Sequence, residues 1–138
     1  MKTRSRLRVR YSETDQMGIV HHSRYINWFE VGRTDYIREL DKSYAEIERE
    51  GLYLPVIAAE LKYKSPAKYD EFVLVETTIA EYNGVRIKFH YRILREEDSE
   101  TLVTGFTEHC WTTTDMRPTK LKKIWPELHD HILTSMEG

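Results

Sequence analysis

The sequence predicts an α+β fold in which one dominant helix packs on one antiparallel sheet. Three observations support this prediction. Apolar residues recur at helical spacing between residues 25 and 40, whereas apolar and polar residues alternate between residues 85 and 94. An Asn83-Gly84 pair, typical of a tight hairpin turn, directly precedes the alternating run. One strand pattern precedes the helix and at least four follow it. Because the helix is apolar on a wide face, we expect the sheet to curl around it.

The chain is predicted to begin with a half-buried strand over residues 7–11, where apolar residues alternate with two arginines. Residues 13–22 have no hydrophobic period and contain Gly18, so they are expected to form a loop. Ser23 is a plausible N-cap for the helix that follows. The apolar stripe indicates a helix of about five turns. Gly32 lies in its middle and suggests that another backbone approaches closely there.

Weaker patterns complete the fold. Residues 43–50 favour a second helix, ended by Gly51. Strands are predicted at residues 54–63, 72–82, 85–94 and 102–114. A terminal helix is expected to begin near Pro126. Long strands at the edges of a sheet invite pairing between subunits, so we expect an oligomer.

Composition limits the function classes. The 138 residues fit a single domain, 1–138, in which residues 119–138 form a C-terminal helical extension. A formal net charge of -2 gives no general attraction to nucleic acid. The single cysteine, Cys110, precludes a disulfide within the chain and favours a cytoplasmic location. No apolar run is long enough to span a membrane, and the N-terminal residues lack the apolar core of a secretory signal.

Two motifs resemble a known family. Residues 11–30 read Y-x-E-T-D-x-M-G-I-V-H-H-S-R-Y-x-x-W-F-E, and residues 63–71 read Y-K-S-P-A-K-Y-D-E. The first resembles the opening motif of the 4-hydroxybenzoyl-CoA thioesterase family of the hotdog fold, and is similar to that of the Tol-Pal-associated acyl-CoA thioester hydrolases. The second resembles the second strand and following turn of that family. The resemblance covers roughly residues 6–115.

The resemblance implies a hotdog fold, a long central helix wrapped by a curved antiparallel sheet of about five strands. It also implies an enzyme that hydrolyses an acyl-CoA to the free acid and CoA. In this family subunits pair edge to edge into dimers with active sites at the interface, and the dimers often form tetramers. No metal or redox cofactor is implied, since the substrate itself carries coenzyme A.

The family's catalytic aspartate falls on Asp15, and the assisting tyrosine and histidine fall on Tyr11 and His22. Asp15 could act as a general base toward water or as a nucleophile that forms a mixed anhydride, and the sequence does not separate the two routes. The helix start near His22 would supply backbone N–H groups to the oxyanion. Gly18 would let the loop turn without a Cβ clash.

Substrate contacts are expected from the aromatic residues at the helix start and from basic residues at the pocket mouth. Tyr25, Trp28 and Phe29 could contact the acyl group, although most helix aromatics belong to the core. The phosphates of CoA need Lys or Arg, and the candidates include Lys64. The other basic candidates are Lys62, Lys68, Arg86 and Lys88.

Alternative interpretations remain at this stage. Adjacent His21 and His22 could suggest a metal, but no CxxC or HExxH pattern accompanies them. Cys110 in a strand is more typical of a buried apolar residue than of a nucleophile. Glu30 is a competing carboxylate, two turns into the helix. A non-catalytic acyl-CoA-binding module and a thioesterase acting on acyl carrier protein also stay open.

Overall fold

The computed structural model describes residues 1–137 and contains a five-stranded antiparallel sheet with a long helix on one face. The strands of this sheet span Thr3–Arg8 (β1), Val56–Tyr63 (β3), Phe72–Tyr82 (β4), Arg86–Arg95 (β5) and Thr101–Cys110 (β6). They lie in the order β1-β4-β5-β6-β3, and every neighbouring pair is antiparallel. Helix α1, Tyr25–Glu39, packs against β1, β4 and β5. The predicted arrangement of one dominant helix on one antiparallel sheet is confirmed.

The remaining elements are short. Helix α2 spans Tyr44–Arg49 and is capped by Ser43, whose hydroxyl accepts from the backbone N–H of Glu46. A two-stranded sheet joins β2 and β7, and two helices end the chain. These elements span Leu52–Tyr53 (β2), Thr112–Thr113 (β7), Leu121–Ile124 (α3) and Pro126–Glu137 (α4).

The central strands follow the predicted alternation. In β5, Ile87, Phe89, Tyr91 and Ile93 are fully buried, while the residues between them lie on the other face of the sheet. The side-chain oxygen of Asn83 accepts from the backbone N–H groups of Val85 and Arg86 and closes the β4–β5 hairpin. The predicted turn is therefore confirmed.

Several strand ends differ from the prediction. The first strand covers Thr3–Arg8 and not residues 7–11, because the chain turns at Tyr11–Glu13 in a short 3-10 helix. The predicted strand 54–63 begins at Val56, just after Pro55, which has no N–H to donate. The predicted strand 102–114 divides into β6 and β7 around Trp111, which is fully buried.

The start of α1 also differs from the prediction. A 3-10 turn, His22–Arg24, precedes the helix, and the cap is His21, whose Nδ1 accepts from the backbone N–H of Ser23 at 3.2 Å. Ser23 therefore lies inside the first turn and is not the N-cap. The α-helix itself has 15 residues, about four turns, because its first turn is taken up by the 3-10 geometry.

Gly32 allows α1 to lie directly on the sheet. A Cβ at this position would collide with the hydroxyl of Thr77 and come within 2.8 Å of Cγ1 of Val75. The close neighbours are thus side chains of β4, and the expectation that another backbone approaches Gly32 was wrong. At the other end of the chain, the predicted helix start at Pro126 is confirmed, and Leu121, Leu128 and Ile132 join the same buried core as α1.

Candidate active site

The loop between β1 and α1 is a closed turn that holds Asp15. Thr14 and Val20 pair as an isolated antiparallel bridge. The N–H of Asp15 donates to the carbonyl of Ile19 at 2.9 Å, and the N–H of Gly18 donates to the carbonyl of Asp15 at 3.0 Å. Gly18 has φ +78, a left-handed conformation that side chains other than glycine rarely adopt. The loop therefore depends on Gly18 for its shape.

The carboxylate of Asp15 is only partly engaged. Its Oδ1 accepts from the backbone N–H of Met17 at 2.8 Å. Within residues 1–137, Oδ2 accepts no hydrogen bond from the protein. A carboxylate with one oxygen fixed by an N–H and the other open is oriented yet still able to act on a water molecule or a carbonyl carbon.

A cleft of about 360 Å³ opens beside this carboxylate. Its size falls within the range of small-molecule sites. Three segments form its walls: the loop, the start of α1, and the end of β3 with the residues that follow. The lining residues are Asp15, Met17, Ile19, Val20, His22, Tyr25, Tyr63, Lys64, Ser65 and Pro66.

The helix start, at the wall of this cleft, includes one residue whose backbone N–H makes no hydrogen bond within residues 1–137. The N–H groups of His21, Ser23 and Arg24 are all hydrogen-bonded, to the carbonyl of Glu13, to Nδ1 of His21 and to the carbonyl of His21, respectively. In the described part of the chain, the backbone N–H of His22 has no acceptor. As the first residue of the turn that leads into α1, His22 presents an N–H of the type that helices leave unsatisfied.

Two aromatic residues, Tyr25 and Tyr63, also line the cleft. Tyr63 donates from its phenol to the carbonyl of His22 at 3.2 Å, and its ring meets that of Tyr25 edge-on at 5.7 Å. The phenol oxygen of Tyr25 accepts from the N–H of Ala67 at 3.1 Å. Burial raises the pKa of Tyr25, which keeps its phenol neutral. Tyr25 thus connects the helix start to the segment after β3.

The cleft brings together Asp15, His22, Tyr25 and Lys64 from the predicted site residues. Gly18 shapes the loop without lining the cleft. Tyr11 lies outside it, is 76% exposed and contacts the ring of Tyr69 edge-on.

The predicted acyl contacts of Trp28 and Phe29 do not appear in the chain as described. Trp28 is buried and donates its indole N–H to the carboxylate of Glu13. Phe29 is fully buried and stacks on Tyr91, with ring centroids 4.2 Å apart. Residues three and four places after Tyr25 lie on the same face of α1, one turn further along the helix, and this face packs on the sheet.

Sequence reasoning missed three features of the site. Tyr63 lay within the second quoted motif but received no role, although alternation along β3 could have placed it on the helix side of the sheet. Glu13 lay within the first motif, and nothing in the sequence alone pairs it with Trp28. Met17 contacts the cleft from a loop that has no periodicity to interpret.

The basic candidates also separate in the structure. Lys64 lines the cleft, whereas Arg86 and Lys88 lie at a distant hairpin and pair with Glu108 and Glu81. No group of three His, Cys, Asp or Glu side chains within residues 1–137 is arranged to hold a metal ion. None of the helices in that range combines the length and apolar character needed to cross a membrane.

Comparisons with known proteins agree with this architecture. Residues 9–131 match the family model described as the thioesterase-like superfamily. The chain is 35% identical to YneP of Bacillus subtilis (strain 168), a proposed acyl-CoA thioesterase, over 92% of each chain. Its structure resembles that of the DHNA-CoA thioesterase from Staphylococcus aureus, with a TM-score of 0.92, 35% identity, and coverage of 96% of this chain and 89% of that one.

A more distant structure supports the fold alone. The 4-hydroxybenzoyl-CoA thioesterase crystallised with 4-hydroxybenzoyl-CoA shares 15% identity, with a TM-score of 0.84 over 97% of this chain and 98% of that chain. The long helix of this chain on its antiparallel sheet is the hotdog arrangement that the family resemblance implied. The chain described here has that hotdog fold and belongs to the thioesterase-like superfamily.

Proposed function

We propose that this protein hydrolyses the thioester bond of an acyl-CoA to the free acid and CoA, with Asp15 as the catalytic carboxylate. The observation that carries the proposal is the shared cleft: Asp15, whose Oδ1 alone is hydrogen-bonded, and His22, whose backbone N–H has no acceptor within residues 1–137, both line it. Membership of the thioesterase-like superfamily supports the reaction class. The names of the relatives, acyl-CoA and DHNA-CoA thioesterases, support coenzyme A as the thiol carrier.

Asp15 can supply the attack on the carbonyl carbon by two routes. As a general base it takes a proton from water as the water oxygen bonds to that carbon. As a nucleophile it bonds to the carbon itself, and water then cleaves the mixed anhydride. In both routes the N–H of Met17 would hold Oδ1, which leaves Oδ2 to face the attacking water in the first route and the carbonyl carbon in the second. CoA leaves as the thiolate and takes up a proton.

The start of α1 would stabilise the charge that develops on the carbonyl oxygen. The N–H of His22 has no acceptor of its own, and the positive end of the α1 dipole lies close behind it. Donors fixed in place before the reaction are worth more to the transition state than mobile water, because they need no reorganisation. The imidazole of His22 lines the same cleft and can donate to the thioester or to water. No step requires a metal or redox cofactor.

The substrate would enter along the segment that follows β3. Lys64 lines the cleft and can pair with a phosphate of CoA. The rings of Tyr25 and Tyr63 give the acyl group an apolar wall. Tyr11 does not line the cleft in one subunit. Its proposed assisting role would require its exposed phenol to contact the substrate or a second subunit.

We also propose that the working unit is a homodimer, with its sites at the interface, and that dimers associate into tetramers. Strand β3 is an edge strand whose residues are almost all exposed, and Val56, Ile57 and Tyr63 are each about half exposed. An edge of this length with apolar side chains favours pairing with the same strand of a second copy. Such pairing would place that copy next to the cleft, because Tyr63 belongs to both β3 and the cleft wall.

The test is a spectrophotometric assay of free thiol with a panel of acyl-CoAs that differ in length and aromaticity. Wild type should release CoA from at least one member, and Asp15→Asn should lose about a thousandfold or more in kcat, since asparagine is neither a base nor a nucleophile here. Asp41→Asn is a matched control, because Asp41 lies in a distant loop with positive φ that asparagine adopts readily. Full activity in Asp15→Asn would refute the assignment. Acyl-CoA binding without any thiol release would identify a binding module instead.

A further inference from the structure

Glu13 is a buried carboxylate two residues before Asp15, and both of its oxygens are occupied. It is 6% exposed. Its Oε1 accepts from the backbone N–H of Arg10 at 2.8 Å, and its Oε2 accepts from the indole N–H of Trp28 at 2.8 Å. Its backbone carbonyl accepts from the N–H of His21 at 2.9 Å. A single residue therefore joins the segment that follows β1, the end of the loop that carries Asp15, and helix α1.

These bonds close the loop that carries Asp15 at both of its ends. Glu13 stands immediately before the Thr14–Val20 bridge and His21 immediately after it. The bond between the carbonyl of Glu13 and the N–H of His21 ties the two ends together. Since Asp15 follows one end and His22 follows the other, this tie helps to set the separation between the carboxylate and the free N–H.

The hydrogen bond from the indole N–H of Trp28 holds Glu13 to helix α1. Trp28 is buried in α1, and its ring meets that of Tyr25 edge-on at 5.0 Å. Tyr25 in turn lines the cleft. The loop and the aromatic wall are thus held to the same turn of the helix, through Glu13 on one side and through Tyr25 on the other.

We infer that Glu13 is a positioning residue for the reaction, and that it fixes Asp15 relative to the N–H of His22 through its bonds to Trp28, Arg10 and His21. This inference rests on the proposed function of Asp15. Burying a charged carboxylate is costly, and an apolar pair of similar volume often gives equal or greater stability. The benefit of the polar pairing lies in its geometry, because two directed bonds allow a single orientation of the loop.

The chemistry of the side chain makes the inference testable by a small change. Glutamate offers two acceptor oxygens to two donors. Glutamine has the same shape but offers one oxygen and one NH2 group, so that one of the two donors must face another donor. Glu13→Gln therefore breaks one of these bonds and removes the charge that faces Nε of Arg10 at 3.6 Å, without removing volume. Trp28→Phe removes the indole donor from the other side and keeps an aromatic ring in the core.

The experiment measures kcat and KM for the best acyl-CoA of the panel, well below the melting temperature of each variant. For Glu13→Gln and Trp28→Phe we expect kcat to fall by about 10- to 100-fold, as for a misplacement of about 1 Å, while KM changes by less than about threefold. The matched control is Glu76→Gln. Glu76 is equally buried at 5% exposure, but it pairs with Arg4 and Arg92 on the opposite face of the sheet. Its variant should keep kcat within about twofold of wild type.

A double-variant cycle separates positioning from stability. If Glu13 acts through Asp15, Glu13→Gln should cause no further loss of kcat in an Asp15→Asn background, because the group that it positions has already gone. An unchanged kcat in the folded Glu13→Gln protein, or an equal fold-loss on top of Asp15→Asn, would overturn the inference. If Glu13→Gln does not fold, Trp28→Phe decides the question by the same criteria. Absence of hydrolysis by wild type would instead count against the proposed function, so the two failures are distinguishable.

Discussion

The phenol of Tyr63 donates to the backbone carbonyl of His22 at 3.2 Å, and this bond ties edge strand β3 to the start of helix α1. The two residues are 41 positions apart in the chain and meet in the cleft beside Asp15. The carbonyl and the free N–H of His22 belong to the same residue, so the bond restrains the turn that presents the N–H. Tyr63 therefore joins the strand proposed to pair with a second subunit to the group proposed to bind the oxyanion.

Tyr63→Phe should lower kcat by roughly fivefold. The substitution removes one hydrogen bond, worth about 1 kcal/mol, and leaves the ring against Tyr25. Tyr63→Ala should in addition raise KM, because the acyl group loses a wall of the cleft. The measurement is steady-state kinetics with one acyl-CoA. Tyr53→Phe, on the short strand β2, is the matched control. A kcat equal to wild type in Tyr63→Phe would contradict the restraining role of the bond.

The sequence predicted regular elements well where local signals were strong. Strand β4 has the predicted bounds, Phe72–Tyr82, because turn residues precede it and an Asn-Gly pair follows it. Helix α4 begins at Pro126, as expected from the preference of proline for the first helical turn. The predicted N-cap of α1 was wrong, because the ring of His21, and not the hydroxyl of Ser23, caps the turn that leads into the helix. Such a cap depends on a side-chain orientation that no periodicity encodes.

The candidate site was predictable only in part for a related reason. Asp15, His22 and Gly18 were identified because they stand together in one short motif. The partners that orient this motif are distant in sequence: Trp28 bonds Glu13, and Tyr63 bonds His22. These pairings depend on how α1 packs on the sheet. The same packing places Phe29 on the face of the helix that is buried in the core. Tertiary contacts of this kind have no signature in a single sequence.

Gly32→Ala should lower the free energy of unfolding by about 1–3 kcal/mol, although alanine is the better helix former. The new methyl group would collide with the hydroxyl of Thr77 and crowd Val75, both on β4 beneath the helix. Urea denaturation measures the change. Thr77 is buried and its hydroxyl has no hydrogen-bond partner, so Thr77→Ala in the same chain should restore part of the loss. Equal or higher stability in Gly32→Ala alone would contradict this packing.

Stability should fall as the pH is lowered from about 6.5 to about 4, partly because of His109. Burial, followed by the charge of Arg33, lowers the pKa of His109 from 6.5 to about 4. Because the unfolded chain binds the proton more readily, the contribution of neutral His109 is fully present above about pH 6.5 and is lost progressively down to about pH 4. The full contribution is roughly 3 kcal/mol.

Urea denaturation at pH 7 and at pH 4.5 measures the effect of His109. In His109→Gln the loss of stability between the two pH values should be smaller than in wild type, by about 2 kcal/mol. His90→Gln is the control, since His90 is exposed on the other face of the same sheet. An equal pH dependence in wild type and His109→Gln would show that His109 does not remain neutral in the folded chain.

Ile57→Lys should dissociate the proposed homodimer. Ile57 is 47% exposed on edge strand β3, and the pairing of two such strands would bring the two lysines close together and remove apolar surface from the interface. Sedimentation velocity should show wild type at the mass of a dimer or tetramer and the variant shifted toward the monomer. Leu133→Lys is the matched control, because Leu133 is exposed to a similar extent on helix α4. Activity should fall together with the dimer if a second copy completes the cleft. A monomeric wild type with full thioesterase activity would refute both the dimer and the interfacial site.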